Sequence, residues 1–240
     1  MKWQTAITKI ANGTEIVRGV PLTELAEQNS FVGNLYFILT GNKATKEVER
    51  LLDVALSLSI DHGVGPVSTQ AMRIATSANI SLQQSLIVAI ASMGEAHGGA
   101  AEEAAKWFEA NLAEQLSAEE AVRKALASKR RIPGFGHAVL AQDSRAKLLF
   151  DEAKRLHLFG VHGRLAEEVA HEIEKQKGKP IPLNIDGALA AVTLDLGFPA
   201  YFATGLFVLG RIPGLLAHVR EEKEQRGGLR RLPEEDIVQD

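Results

Sequence analysis

Three short segments of this chain carry residue types that can move protons: Glu95-Ala96-His97-Gly98-Gly99-Ala100, Gly134-Phe135-Gly136-His137 and Asn184-Ile185-Asp186-Gly187. Each sets a titratable side chain beside glycine, and glycine lets backbone approach a ligand closely. Together they offer two imidazoles and a carboxylate, a set suited to proton transfer at a carbon next to a carbonyl. His62 has a similar setting, after Asp61 and before Gly63-Val64-Gly65-Pro66. The other four histidines, His157, His162, His171 and His218, sit in helical or polar contexts and are expected to be structural. With no His-Glu-x-x-His pattern and no close histidine pair, no metal centre is expected.

Asp186 opens an apolar stretch, so it reads either as a helix cap or as an acid–base group. Burial at such a helix mouth raises a carboxyl pKa, whereas the helix N-terminus lowers it. Arg145 follows His137 closely along the chain. Arg211 interrupts a core-like run, Val208-Leu209-Gly210-Arg211-Ile212-Pro213-Gly214. A guanidinium placed there needs a partner. A carboxylate substrate suits its fork geometry, and an internal Asp or Glu is the structural alternative.

The elements that must position these residues are helical. Residues 47–58 place Leu51, Leu52, Val54, Ala55 and Leu58 on one face. Ser81-Leu82-Gln83-Gln84 and Ser117-Ala118-Glu119-Glu120 are capping-box patterns. The first opens 82–93, apolar all round and so expected to be interior. The second opens a helix that runs toward Lys129-Arg130-Arg131, a cluster that could meet an anion. Pro133-Gly134-Phe135-Gly136 breaks helix by a missing N–H and a free φ. Further helices are expected over 145–156, 165–177 and 185–196, then one ending near residue 220. No strand pair is expected, and the charged tail after Glu221 is expected to be poorly ordered without a partner.

The bulk composition fits a globular protein with a real core: 240 residues, 45% of them hydrophobic and 24% charged, with a formal net charge of −3. That balance gives no basic footprint for nucleic acid. The absence of cysteine rules out disulfides, thiolate catalysis and cysteine zinc sites, and is compatible with a cytoplasmic location. The first residues lack the apolar run of a signal peptide. The longest apolar stretch, 198–209, is too short to span a bilayer and reads as a core helix. The charged stretch 104–181 is expected to form a small helical domain inserted between two parts of a larger one, 1–103 and 182–240.

Asp61-His62-Gly63, Ala96-His97-Gly98-Gly99-Ala100, Gly134-Phe135-Gly136-His137 with Asp143-Ser144-Arg145-Ala146, Asn184-Ile185-Asp186 and Gly210-Arg211-Ile212-Pro213-Gly214 follow one another in a telling order. Each motif is weak alone, but the series resembles the citrate synthase superfamily over nearly the whole chain. Pro182-Leu183-Asn184-Ile185-Asp186-Gly187-Ala188 and Ala217-His218-Val219-Arg220-Glu221-Glu222 resemble its citryl-CoA lyase branch, which includes the C-terminal module of ATP-citrate lyase.

The resemblance implies an all-α, citrate synthase-like fold with a large and a small domain flanking a cleft. It implies a homodimer or homotetramer, with a citryl-CoA synthetase or other ATP-citrate lyase subunit as a conceivable companion. It implies Claisen-type chemistry on a coenzyme A thioester, bound as substrate or product, with no permanent cofactor. Carried over by position, Asp186 is the acid–base group at the acetyl carbon, and His97 stabilises the thioester enol. His137 acts on the oxygen that is hydroxyl in citryl-CoA and ketone in oxaloacetate. His62, Arg145 and Arg211 hold carboxylates of that half. The expected reaction is cleavage of citryl-CoA to acetyl-CoA and oxaloacetate, favoured over citrate synthesis by the short chain and the two branch-like segments. Ala138 and Ser144 depart from the family pattern, where arginine and proline are usual. They motivate an alternative of another class, a non-catalytic homologue kept for oligomerisation or regulation.

Overall fold

The computed structural model describes residues 2–95, 97–129, 131–136, 143–225 and 227–238. The described residues form eleven α-helices and one small sheet. The all-α class stands, with a modest correction at the N-terminus. There, β1 (Thr8–Ala11), β2 (Thr14–Val17) and β3 (Val20–Pro21) pair antiparallel in that order, Lys9 opposite Ile16 and Val17 opposite Val20. Both connections are two-residue loops with positive φ at each position: Asn12 at 51° and Gly13 at 74°, then Arg18 at 46° and Gly19 at 88°. That is the turn whose twist matches a hairpin, and Asn-Gly is its usual sequence.

The helices follow in order: α1 (Leu22–Gln28), α2 (Phe31–Thr40), α3 (Lys46–Leu58), α4 (Val67–Ser77), α5 (Leu82–Ala91), α6 (Ala100–Ala113), α7 (Ala118–Ala127), α8 (Ser144–Arg155), α9 (Val161–Lys177), α10 (Ile185–Asp195) and α11 (Tyr201–Gln225). Both capping boxes form, Ser81 with Gln84 and Ser117 with Glu120. The expected helices over 47–58, 145–156 and 185–196 appear within a residue or so of those bounds. The helix expected from 165 begins a turn earlier, where Asp195 accepts N–H groups from Gly160, His162 and Gly163 and so caps α9 from the far end of α10.

Helix α10 is the central strut. Ile185 and every residue from Gly187 to Leu194 are buried, as an all-round apolar helix requires. It packs against α6, α8, α9 and α11. The main core runs continuously from α3 through these helices, with Phe108, Leu149, Leu189 and Leu206 almost wholly enclosed. A smaller core joins α4, α5 and α11 through Met72, Ala89, Leu215 and Val219.

Helix α11 is long and apolar enough, by length and composition, to cross a membrane. Here it is a core helix, packed on α3, α4, α5, α6 and α10. Helix α5 corrects an expectation. It is apolar all round but not interior: Ser85 and Ala89 are its buried residues, and Ile87 is 64% exposed. In the described part of the tail, Arg230 forks onto the buried carboxylate of Glu222 at 2.6 and 2.7 Å and its N–H donates to Ser77.

Candidate active site

Each site residue sits where an element starts, stops or is interrupted. Pro213 lies inside α11, and Gly214 turns its N–H to the carbonyl of Ile60 at 3.1 Å. A Cβ at Gly210 would come within 2.8 Å of both the Leu56 carbonyl and Ser59. Glycine at 210 and 214 thus lets the chain after α3 lie directly on α11. That contact brings His62 toward Arg211. His218, one turn further along α11, completes it with a 3.1 Å contact from Nε2 to Asp61 Oδ1.

His97 stands in a tight reciprocal loop in which Gly94 and His97 exchange backbone hydrogen bonds at 2.7 and 2.9 Å. Gly98 has φ 89°, which a side chain would strain. The loop aims the His97 ring at the cavity, with Nε2 2.8 Å from the Ser68 hydroxyl and Phe207 edge-on at 6.5 Å.

The Gly134-Phe135-Gly136 segment is zipped to the approach of α10. Gly136 donates to Pro182 at 2.7 Å, and Asn184 donates from its backbone to Gly134 and from its amide to Gly136 at 3.0 and 2.9 Å. A Cβ on Gly187 would lie 2.5 Å from the Gly134 carbonyl, so this crossing requires glycine. Asn184 also caps α10 by accepting the Gly187 N–H. The cap is therefore Asn184, and Asp186, in the first turn, is released from that role. At the start of α8, Asp143 accepts from the backbone of Arg145 and pairs with its guanidinium.

His62, His97, Arg145, Asp186 and Arg211 line one cavity of about 220 Å³, together with Arg131, Gly136, Asn184 and Phe207. His137 and Ala138 lie outside the described residues. Arg145 Nη1 is 3.5 Å from His62 Nδ1. Arg211, only 2% exposed, donates from Nε to the Ser59 carbonyl and stacks over Phe207 at 4.8 Å. Its Nη1 is buried with no hydrogen-bond partner among the described residues. The internal carboxylate alternative is not what holds it.

Burial raises the Asp186 pKa above its ordinary 3.8. Arg145 opposes the rise, the Asp143 charge adds to it, and Arg211 and His62 oppose it. Burial therefore outweighs the opposing cations. His97 is lowered from 6.5 by burial and then by the Arg211 charge, so its imidazole is neutral at pH 7. Burial likewise lowers the Arg211 pKa. A neutral imidazole, a carboxyl that holds its proton unusually well and a guanidinium with an unmet donor form a site for acid–base work on a carboxylate-bearing molecule. Among the described residues no group of three or more His, Asp or Glu is placed to hold a metal.

Sequence reading did not single out Ser68 or Phe207. Ser68 follows Pro66-Val67 in an ordinary helix start, and nothing local marks its hydroxyl. Arg131 was visible only as part of a basic cluster. It lines both this cavity and an adjoining groove of about 360 Å³ with Ile132, Phe135, Ile173, Lys177 and Ile181.

The family profile described as "Citrate synthase, C-terminal domain" matches residues 3–232. The citrate synthase of Saccharolobus solfataricus is 35% identical over 209 residues, covering 82% of this chain and 54% of that protein. ATP-citrate synthase beta chain protein 2 of Arabidopsis thaliana is 26% identical over 237 residues, covering 92% of this chain and 39% of that protein. This chain thus spans about half or less of the length of these curated relatives. The solved structure of citryl-CoA lyase from Hydrogenobacter thermophilus superposes with a TM-score of 0.94 at 38% identity, covering 99% of this chain and 94% of that one.

Proposed function

Because the chain belongs to the citrate synthase family, we propose that it is a citryl-CoA lyase-like enzyme that cleaves citryl-CoA to acetyl-CoA and oxaloacetate. The observation that carries this reading is the convergence of His62, His97, Arg145, Asp186 and Arg211 on one cavity, after wide separation in the chain.

In the proposed reaction His137 takes the proton from the citryl hydroxyl as the carbon–carbon bond breaks. The carbonyl of oxaloacetate forms, and the bonding electron pair passes to the thioester as an enolate. His97 donates a hydrogen bond to the enolate oxygen. This role takes the tautomer protonated on Nδ1, in which Nε2 accepts from the Ser68 hydroxyl. A donor set in place before the charge develops is worth far more than one in water. Asp186 then delivers its proton to the enolate carbon, yielding acetyl-CoA. Arg211, with its unmet Nη1, and Arg145 and His62 hold carboxylates of the oxaloacetate half. The groove beside Arg131 and Gly136, with Lys177 at its side and apolar residues along it, suits the extended, phosphate-bearing coenzyme A. No metal is required by this scheme.

The division into 1–103, 104–181 and 182–240 belongs to the same proposal. Swinging of the middle part would close the cavity and exclude water. The exposed apolar residues of α4 and α5 (Val67, Ile74, Leu82, Ile87 and Ile90) supply a surface for a homodimer or homotetramer. A citryl-CoA-forming subunit, in the cytoplasm, is the companion that would supply the substrate.

The test is incubation of pure protein with citryl-CoA, with oxaloacetate followed by reduction to malate. Rapid, stoichiometric formation of oxaloacetate and acetyl-CoA is expected. The second reading, citrate synthesis, is favoured by the relative from S. solfataricus. Release of free thiol at catalytic rates from acetyl-CoA plus oxaloacetate would establish that reading and displace the lyase. No turnover in either assay, with citrate still bound, would mark a non-catalytic homologue.

A further inference from the structure

The most fully engaged carboxylate in this region is one that faces no substrate. The Asp143 side chain has no exposed surface. Its Oδ1 accepts the backbone N–H and the Nε of Arg145, each at 3.0 Å. Its Oδ2 accepts Nη2 of Arg145 at 2.9 Å and the backbone N–H of Ile185 at 3.0 Å. Four N–H groups on one carboxylate fill its acceptor capacity. Capping α8 needs only the first of them. The fork from Arg145 and the bond to Ile185, which lies 42 residues on, serve something else.

We propose that Asp143 is a positioning residue that fixes the Arg145 guanidinium in the cavity and locks it to the first turn of α10, where Asp186 stands. Nε and Nη2 of Arg145 are held from behind, which leaves Nη1 on the cavity side, 3.5 Å from His62. The fork is planar and bidentate, so it sets direction as well as distance. Ile185 immediately precedes Asp186, so one buried carboxylate sets the spacing between a cation and an acid. The hydrogen bonds and charge of Arg145, with the N–H of Ile185, hold Asp143 below its ordinary value although burial acts the other way. It therefore stays an anion across the working pH range. This inference rests on the reading above for the identity of the ligand, in which Arg145 grips the oxaloacetate half, but not for the coupling itself.

The test compares the full chain with Asp143→Asn and Asp143→Glu by three readouts: kinetics with citryl-CoA, calorimetric binding of citrate and of coenzyme A separately, and hydrogen exchange of the Arg145 Nε–H by NMR. Asp143→Asn keeps an oxygen for the Ile185 N–H but loses the charged fork. A rise in KM and a fall in citrate affinity of about 10–100-fold are expected, as for carboxylates behind other site ligands. Affinity for coenzyme A alone should hold, and the Arg145 Nε–H should exchange markedly faster. If Asp143→Asn does not fold, Asp143→Glu, which keeps the charge but displaces the fork, should give the same pattern. A lower Tm with unchanged KM, citrate affinity and Arg145 exchange would reduce Asp143 to a helix cap and overturn the proposal. If the wild-type protein neither cleaves citryl-CoA nor binds citrate, the functional reading fails, and the exchange measurement alone decides the coupling.

Discussion

The Ser68 hydroxyl lies 2.8 Å from Nε2 of His97, and Ser68 is completely buried. Nothing in the neighbourhood of Ser68 in sequence requires a hydroxyl there, but a neutral imidazole with a fixed tautomer does require a partner on one nitrogen. Ser68→Ala should lower kcat for citryl-CoA cleavage by about 10–100-fold, in line with the loss of an orienting partner. KM should change little, because in the proposed reaction His97 acts on charge that develops only after the substrate is bound. Steady-state kinetics check this, and an unchanged kcat would remove Ser68 from the site.

Asp186→Asn should lower turnover by about 10²–10⁴-fold or more, the usual share of a positioned acid or base. The variant should be no less stable than the wild type. The folded pKa of Asp186 is raised above 3.8, so its protonated form is the one the fold favours. That contribution is full below 3.8 and is lost as pH rises through the folded value. Above that range the buried acid is a net cost to the fold that asparagine removes. A Tm equal to or above wild type, beside lost activity, is the expected pair of results. Retained activity would leave Asp186 without a chemical role.

Exchange of the acetyl-CoA methyl hydrogens with solvent deuterium reports Asp186 as a base. The rate should fall as pH falls through the folded Asp186 pKa. That limb should lie above 3.8, because burial outweighs the opposing Arg145, Arg211 and His62 and the Asp143 charge reinforces it. A limb at or below 3.8 would mean that the cations dominate.

Arg211→Met should keep or raise the Tm, since a buried guanidinium with an unmet Nη1 gives way to an apolar chain that can still pack on Phe207. Citrate binding should weaken by about 2–5 kcal/mol, the usual cost of truncating one partner of a buried charge pair. The stabilisation by citrate seen in a thermal-shift titration should largely vanish. Undiminished stabilisation would place the carboxylates elsewhere.

Ile87→Glu should convert the proposed homodimer or homotetramer to monomers without loss of helix, because Ile87 is 64% exposed on α5 and supports no part of the protomer core. Analytical ultracentrifugation with far-UV circular dichroism measures both. An unaltered mass would move the interface away from α5.

Much of the helical frame was legible from local signals. Ser81 with Gln84 and Ser117 with Glu120 are complete within one turn, so the structure reproduces them. The titratable residues beside glycine were legible for the same reason, and four of them, His62, His97, Asp186 and Arg211, meet Arg145 in one cavity. The Asn12-Gly13 hairpin was overlooked although its turn residues are local, because the strands it joins are only four residues each and carry little alternation.

The order of elements and the choice of candidate reactive groups are thus properties of the chain itself, since caps, periodicity and glycine placement act over a few residues. Tertiary structure alone decided that Asn184 caps α10 and leaves Asp186 available, that burial outweighs the neighbouring cations at Asp186, and that Arg211 is held by the Ser59 carbonyl with a donor to spare. It also decided that α5, apolar all round, faces outward. Desolvation and partner choice depend on what packs alongside from distant parts of the chain, and no local pattern encodes that.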